Sequence, residues 1–420
     1  MKSSTIVTGK PPVAASLDFT PFEAVSCCRH LPGLVFFDSA LDGGAPERQS
    51  IIAAMPSEVV TGSTREDWEL LREKIARCQV GGGADTGILP GMAAGYVNYD
   101  GSFCFGFYDD LLIHLHADQS WRATGSLASR MITPGRPVAL QSLAFSSKTI
   151  REDYCRMVSR AKDYIAAGDI YQVNLSHRFA APWNGDALRF YEALRHYSPA
   201  PYAAYLDIDG RPVLSSSPER FLRMSGRSIN TSPIKGTRPR HADPDADELS
   251  AYDLMTSPKE IAELIMITDL ERNDLGRVCD YGTVHVRELL KLERYEQVFH
   301  LVSTVEGQLR PEIDHVTALQ SCFPGGSITG APKKRACEII AELEQEPRGL
   351  YTGAIGYFGF NGESQFNIAI RTVVIEGGVA HFNTGAGIVA DSVPEKEYDE
   401  TLHKAAGILM AAARMGELDA

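Results

Sequence analysis

The chemistry this chain offers begins with a lysine. In the stretch Thr231–Arg240, TSPIKGTRPR, Lys235 stands between Ile234 and Gly236. Pro233, Gly236 and Pro239 interrupt the backbone too often for a long helix or strand, so the stretch reads as a stiff connection presenting one amine at a fixed place. Lysine is a nucleophile only when neutral, and from a reference pKa of about 10.4 that needs desolvation or nearby positive charge. Arg238 and Arg240 are candidates for that charge; the alternative reading is a solvated loop lysine.

Carboxylates are the second chemical group. Ser257-Pro258-Lys259-Glu260 has the order of a helix start, with serine as N-cap, proline in the first turn and glutamate as in a capping box. Glu260 and Glu263 then share one face, beside an apolar stripe of Ile261, Leu264 and Ile265. Ser392-Val393-Pro394-Glu395 repeats the device and opens a helix towards Met415, with Glu397, Glu400 and Lys404 in one line. If the two faces meet, four carboxylates need a counter-charge, and Mg²⁺, which prefers oxygen ligands, is suited to supply it. Two unrelated solvated helix faces are the alternative.

Between these helices lies FPGGSITGAPKKRA, residues 323–336, where Gly325 and Gly330 have phosphate-loop spacing but Ala331 replaces the required lysine. Pro332 reads instead as the first residue of a helix whose amide end can hold an anion. Tyr351–Phe360 and Gln365–Ile375 flank an Asn361-Gly362 hairpin signal. Arg371 inside so apolar a strand is costly unless an anion pairs with it. Gly385-Ala386-Gly387 lets backbone amides approach a ligand closely.

The elements that must position these groups are clearest after residue 148. Tyr154, Met157, Val158, Ala161 and Tyr164 recur at helical spacing, closed by Gly168. A strand follows, Tyr171–Phe179, with Gln172, Asn174 and Ser176 on one face. Before residue 145, short apolar runs at Leu34–Phe37, Ile51–Ala54 and Met92–Tyr99 indicate a β-rich portion with one helix near Arg65–Cys78. Gly81–Gly83 reads as a flexible loop and Gly125–Leu143 as a weakly structured connection.

Composition narrows the classes. A chain of 420 residues with net charge -13 lacks the basic face that nucleic acid demands. Its eight cysteines form no CxxC, which suits free thiols in a reducing cytosol. No apolar run reaches the roughly 20 residues of a membrane span, so a cytoplasmic location is expected.

Nine segments in order, among them DIYQVNLSHRF, SSSPERF, SPIKGTRPR, FPGGSITGAPKKRA, FNIAIRT and GAGIVADSVPEKEYDET, closely resemble the chorismate-utilising enzymes. That family includes anthranilate, aminodeoxychorismate, isochorismate and salicylate synthases. The resemblance implies an α+β fold of two large, mainly antiparallel β-sheets packed as a sandwich with flanking helices. It divides the chain into an N-terminal anthranilate synthase component I-like region, 1–145, and a chorismate-binding catalytic domain, 146–416. It places Mg²⁺ among Glu260, Glu263, Glu397 and Glu400, with Glu263 and Glu400 as direct ligands, holding the ring carboxylate of chorismate. Arg371, Tyr357 and the Gly385, Ala386 and Gly387 amides match positions for the enolpyruvyl carboxylate, Lys404 one near the metal, and His300 one near the ring. Gln172, Thr237, Thr329 and Gly330 complete the implied substrate contacts.

Within the family, water-adding members carry a lysine where this chain has Gln172 and a glutamate where it has Ser232. Anthranilate synthases read PIAGT; PIKGT, with Glu219 upstream in SPER, resembles the aminodeoxychorismate synthases. The resemblance therefore implies Lys235 as covalent nucleophile and Glu219 as acid in making 4-amino-4-deoxychorismate, for 4-aminobenzoate and folate biosynthesis. An anthranilate synthase large subunit is the competing enzyme, and a catalytically silent binding or regulatory subunit the non-enzyme alternative. With no GxCxG cysteine for releasing ammonia from glutamine, a separate glutamine amidotransferase subunit is expected as heterodimer partner. Phe36-Phe37-Asp38-Ser39, with Arg48 and Gln49, is a loose counterpart of the family's tryptophan-binding LLES segment.

Overall fold

A computed structural model of the chain describes residues 13–39, 48–80, 88–135, 142–295 and 298–419. Two antiparallel sheets, one of 12 strands and one of 10, lie face to face. Between them sits an apolar layer drawn from both, including Val35, Ile51, Leu206 and Val374 of the larger sheet and Met92, Ala94 and Ile355 of the smaller. Helices cover the outer faces. Ala187–Tyr197 and Pro394–Arg414 pack on the larger sheet, burying Phe190, Leu194, Ile408 and Ala412. Arg65–Cys78 and His315–Cys322 pack on the smaller, burying Trp68, Leu71 and Leu319. Such two-sided burial explains why Met92–Val97 and Phe103–Tyr108 read as continuous rather than alternating apolar runs.

Both sheets take strands from both ends of the sequence. Val35–Asp38 pairs with Tyr202–Ile208 in the larger, and Met92–Val97 pairs with Ala354–Gly359 in the smaller. Residue 145 thus separates two stretches that share each sheet.

The helix starts follow their local chemistry only in part. Pro258–Gly276 begins as expected, Ser257 accepting from the Glu260 amide, but no return bond from the Glu260 carboxylate closes a capping box. Its buried stripe is Leu264, Ile267 and Leu275, while Ile265 faces solvent. Pro394–Arg414 has Val393 as its N-cap residue; the Ser392 hydroxyl accepts from the Val389 amide and caps nothing.

Three further expectations change. TSPIKGTRPR is not a free connection: Ile234–Pro239 is a short strand paired with Val298–Gln308, its register interrupted at Gly236, where φ is +72°. Gln365–Ile375 is not one strand. Glu363–Ile368 belongs to the smaller sheet and Thr372–Glu376 to the larger, and the chain crosses between them at Arg371, whose φ is +49°. The helix after FPGGSITGAP starts at Lys333, with Pro332 as N-cap. Gly81–Gly83 lies outside the described residues, and Leu127–Arg130 forms a 3₁₀ turn within the expected loose connection.

Candidate active site

A cavity of about 720 Å³ opens beside the strand Ile234–Pro239 and between the starts of the helices Pro258–Gly276 and Pro394–Arg414. Three groups of side chains line it.

The lysine forms the first group. The half-buried Lys235 donates from Nζ to the Ser327 carbonyl at 3.2 Å. Beside it Glu219 is 6% exposed. Burial raises the Glu219 carboxyl above the ordinary range, opposed by hydrogen bonds from the Ser327 hydroxyl and the Ile234 amide and by the charge of Lys235. A buried carboxyl held towards its acid form beside a lysine can deliver a proton to a leaving group. Arg238 lines the cavity and pairs with Asp253 at 2.6 Å and with Glu260 at 3.7 Å, while Arg240 pairs with Asp247 at 2.9 Å.

The second group recognises anions. Arg371 lines the cavity, and burial pushes its guanidinium below the usual arginine value. Among the described residues no carboxylate pairs with it. His300, 4% exposed, makes a 3.0 Å hydrogen bond between Nδ1 and the Thr237 hydroxyl. Burial, then the charge of Arg371, lowers the imidazole to about 4, so it is neutral near pH 7. Gly385 and Gly387 lie along the same wall; a Cβ on Gly385 would meet the Tyr351 hydroxyl at 2.8 Å, and one on Gly387 the Gln172 amide at 2.7 Å. Asn174, directly across the ladder from Gly387, turns an unpartnered Nδ2 into this region.

The third group is acidic. Glu260, Glu263 and Glu400 line the cavity, and the buried Glu397 approaches it through Lys259, whose Nζ lies 3.8 Å from Glu397 and 4.0 Å from Glu263. Both helix faces therefore converge. Lys404 pairs with Glu400 at 2.7 Å and donates to the Gly385 carbonyl at 3.0 Å. Glu263 Oε1 and Glu397 Oε2 are buried without a hydrogen-bond partner. Among the described residues no three acidic, histidine or cysteine groups gather into a closed ligand set. The two orphaned oxygens nevertheless fit a hard cation, since carboxylate oxygen is its preferred donor; Lys235 and Lys259 are nearby charges on Glu263.

Several expected contacts stand back from the cavity. Tyr357 packs its ring on Phe37 at 5.3 Å, and Tyr351 is the tyrosine that lines the cavity, its hydroxyl pushed up to about 12 by burial. Thr329 is fully buried; its carbonyl accepts from the Asn174 amide at 2.8 Å. Gly330 and Gln172 join two strands behind the wall, Gly330 so close that a Cβ would lie 2.2 Å from the Gln172 carbonyl. Ala386 is buried in the ladder opposite Leu175. The helix at Pro332 offers no open anion site: Lys333 in its first turn pairs with Asp274. The sequence does not single out Ser327, Asn174 or Tyr351 as lining residues, although its period of two puts Asn174 on the polar face of its strand.

Asp38 of the loose LLES counterpart is buried, paired with Arg195 at 2.8 Å and accepting from the Tyr191 hydroxyl at 3.3 Å. The Ser39 hydroxyl donates to the Gln49 carbonyl. A ligand ammonium at Asp38 would have to displace Arg195.

Comparison with known proteins agrees with this geometry. Residues 53–410 match the model of the chorismate binding enzyme family. Anthranilate synthase component 1 of Acetivibrio thermocellus is 46% identical over 276 residues, 66% of this chain and 56% of the relative. Aminodeoxychorismate synthase component 1 of Bacillus subtilis is 46% identical over 262 residues, 62% of this chain and 56% of the relative. The matches thus span little more than half the length of these curated relatives. The crystal structure of anthranilate synthase component I from Streptococcus pneumoniae superposes with a TM-score of 0.78 at 30% identity, covering 87% of this chain and 93% of that one. No helix among the described residues is long and apolar enough to cross a membrane. Matched by the family model over most of its length, and folded like one of its solved relatives, the chain belongs to the chorismate binding enzymes.

Proposed function

We propose that this chain aminates chorismate at C4, the aminodeoxychorismate synthase reaction, through a covalent bond to Lys235. The observation that carries this reading is the placement of the Lys235 amine on the cavity wall, sharing Ser327 with the buried acid Glu219. In the proposed sequence the neutral amine adds at C2, the double bonds shift, and the C4–O bond breaks as Glu219 gives its proton to the departing hydroxyl. Ammonia then adds at C4, the double bonds shift back, and the C2–N bond to lysine breaks. The sum is chorismate plus ammonia to 4-amino-4-deoxychorismate plus water, with the enolpyruvyl group retained.

Arg371 supplies the charge for a substrate carboxylate, and the neutral His300 stands beside the ring without competing for that anion. Glu263 and Glu400, with Glu260 and Glu397 around them, would hold Mg²⁺, which when bound neutralises the ring carboxylate. Glutamine-derived ammonia would come from a separate amidotransferase subunit; relatives named "component 1" support a two-component assembly. Turnover of glutamine by the purified chain alone would contradict that.

Amination at C2 by an anthranilate synthase is the second reading, favoured by relatives of that name at the same 46% identity. Product analysis separates the two. Wild-type protein with chorismate, Mg²⁺ and ammonium should yield 4-amino-4-deoxychorismate, and Lys235→Ala should lose that product by at least a hundredfold, of the order expected for a covalent nucleophile. A Lys235→Ala variant that makes it at the wild-type rate removes the covalent step, and anthranilate from wild type removes the C4 assignment.

A further inference from the structure

Behind the cavity wall lies a charged cluster that the proposed chemistry does not use. Glu271 and Asp274 are 2% and 1% exposed on the helix Pro258–Gly276, beyond the turns that carry Glu260 and Glu263. Opposite them runs the loop from Phe323 to Thr329. The Gly326 amide donates to Glu271 Oε1 at 3.0 Å. Lys333 donates to the carbonyls of Cys322 and Pro324 at 3.0 and 2.6 Å while pairing with Asp274. The Thr329 hydroxyl ties back to the Gly325 carbonyl at 2.9 Å. The loop is therefore gripped from outside the cavity by one carboxylate and one ammonium.

What the loop presents inward is Ser327, the residue after the one Glu271 holds. Its carbonyl accepts from Lys235, and its hydroxyl bonds the Glu219 carboxyl. Gly326 lies close against its holder: a Cβ there would meet Leu270 at 2.6 Å and Glu271 Oε1 at 3.0 Å. A shift of this loop would separate the amine from the acid that must act with it, and misplacement of about 1 Å costs on the order of a hundredfold in rate.

We propose that Glu271 is a positioning residue, which fixes Ser327 through Gly326 and so holds Lys235 and Glu219 in register for attack and proton delivery. This inference rests on the functional reading above, because only the route to C4 amination uses attack by Lys235. Glu271 also acts through charge. The groups facing it are Asp274, Lys333, Glu219, the buried Cys322 thiol and the Gly326 amide. Burial, then Asp274, raises its carboxyl to about 7, with Glu219 adding to the rise. By reciprocity, ionised Glu271 holds the Glu219 proton in place at higher pH.

Two variants test it, with ammonium-dependent chorismate consumption as the assay. Glu271→Leu removes the bond to Gly326 and should lower kcat at least about tenfold while KM for chorismate stays within about twofold, because the cavity's anion-binding wall is untouched. Glu271→Gln keeps an acceptor for Gly326 but loses the charge. It should retain most of kcat at its optimum, with the high-pH limb displaced to lower pH, since Glu219 gives up its proton sooner. Wild-type kcat in Glu271→Leu, or an unmoved limb in Glu271→Gln, overturns the proposal; should Glu271→Leu not fold, the limb of Glu271→Gln decides. A wild-type chain that consumes no chorismate defeats the functional reading instead.

Discussion

A half-buried guanidinium without a carboxylate is a deficit that a ligand can remove, and Arg371 is in that position. Arg371→Met should raise KM for chorismate about a hundredfold, from loss of a charge-assisted bond worth roughly 2–3 kcal/mol. The ligand-free protein should be no less stable, gaining up to about 1 kcal/mol because an unpaired charge leaves the interior. Thermal melts with and without chorismate measure both effects, and a large loss of ligand-free stability would show that Arg371 serves the fold rather than the substrate. Arg371 was legible in the sequence because an arginine among Phe366, Ile368 and Ile370 is costly wherever it lies. Its left-handed backbone was not, since that follows from the crossing between sheets. Tyr351 is not legible as the lining tyrosine, because nothing in the sequence says that the chain is still in a turn there and already in the ladder at Tyr357.

Among elements, the turn after the helix Lys333–Leu343 joins more of the cavity wall than any motif suggested. Arg348, 4% exposed, donates to the carbonyls of Asn174 and Ile328 at 2.7 and 3.1 Å and to the Thr352 hydroxyl at 3.0 Å. It pairs with Glu344 at 2.8 Å, and Glu344 in turn accepts from the Ser176 amide and hydroxyl. Arg348→Met should cost about 3–5 kcal/mol by stranding a buried carboxylate, and the double variant with Glu344→Met should recover much of it. Denaturant midpoints report both; equal loss in the single and double variants would assign the effect to the carbonyl contacts instead. Pro258–Gly276 could be foreseen because Ser257 and Pro258 act on their own turn. The strand carrying Lys235 could not, because its partner, Val298–Gln308, lies some sixty residues later and only the folded sheet supplies the ladder.

For the whole molecule, buried histidines and buried carboxylates set opposed responses to acid. His300, His177 and His381 are each lowered to about 4, burial being the first cause in all three. Their unfolded values lie near 6.5, so the stability they leave intact above about pH 6.5 is lost as pH falls towards 4. Glu271, raised to about 7, works the other way: its contribution is full below about 4.5 and is lost as pH rises through 7. His177→Gln should therefore flatten the acid side of the stability profile by up to about 3 kcal/mol, and Glu271→Gln should steepen it. Unfolding midpoints from pH 4 to 8 show whether the two variants diverge in these directions. The sharing of both sheets by distant parts of the chain also has a consequence for the order in which the protein is made. On the ribosome, Gln172–Pro182 and Arg211–Ser217 emerge long before the hairpin of Thr372–Glu376 and Val379–Ile388 that lies between them in the finished sheet. Until that hairpin arrives, both strands keep an open edge, the kind of surface that recruits other chains. A polypeptide stopped near residue 350 should therefore be found with chaperones or in aggregates, whereas the same residues in the released full chain lie inside a closed ladder.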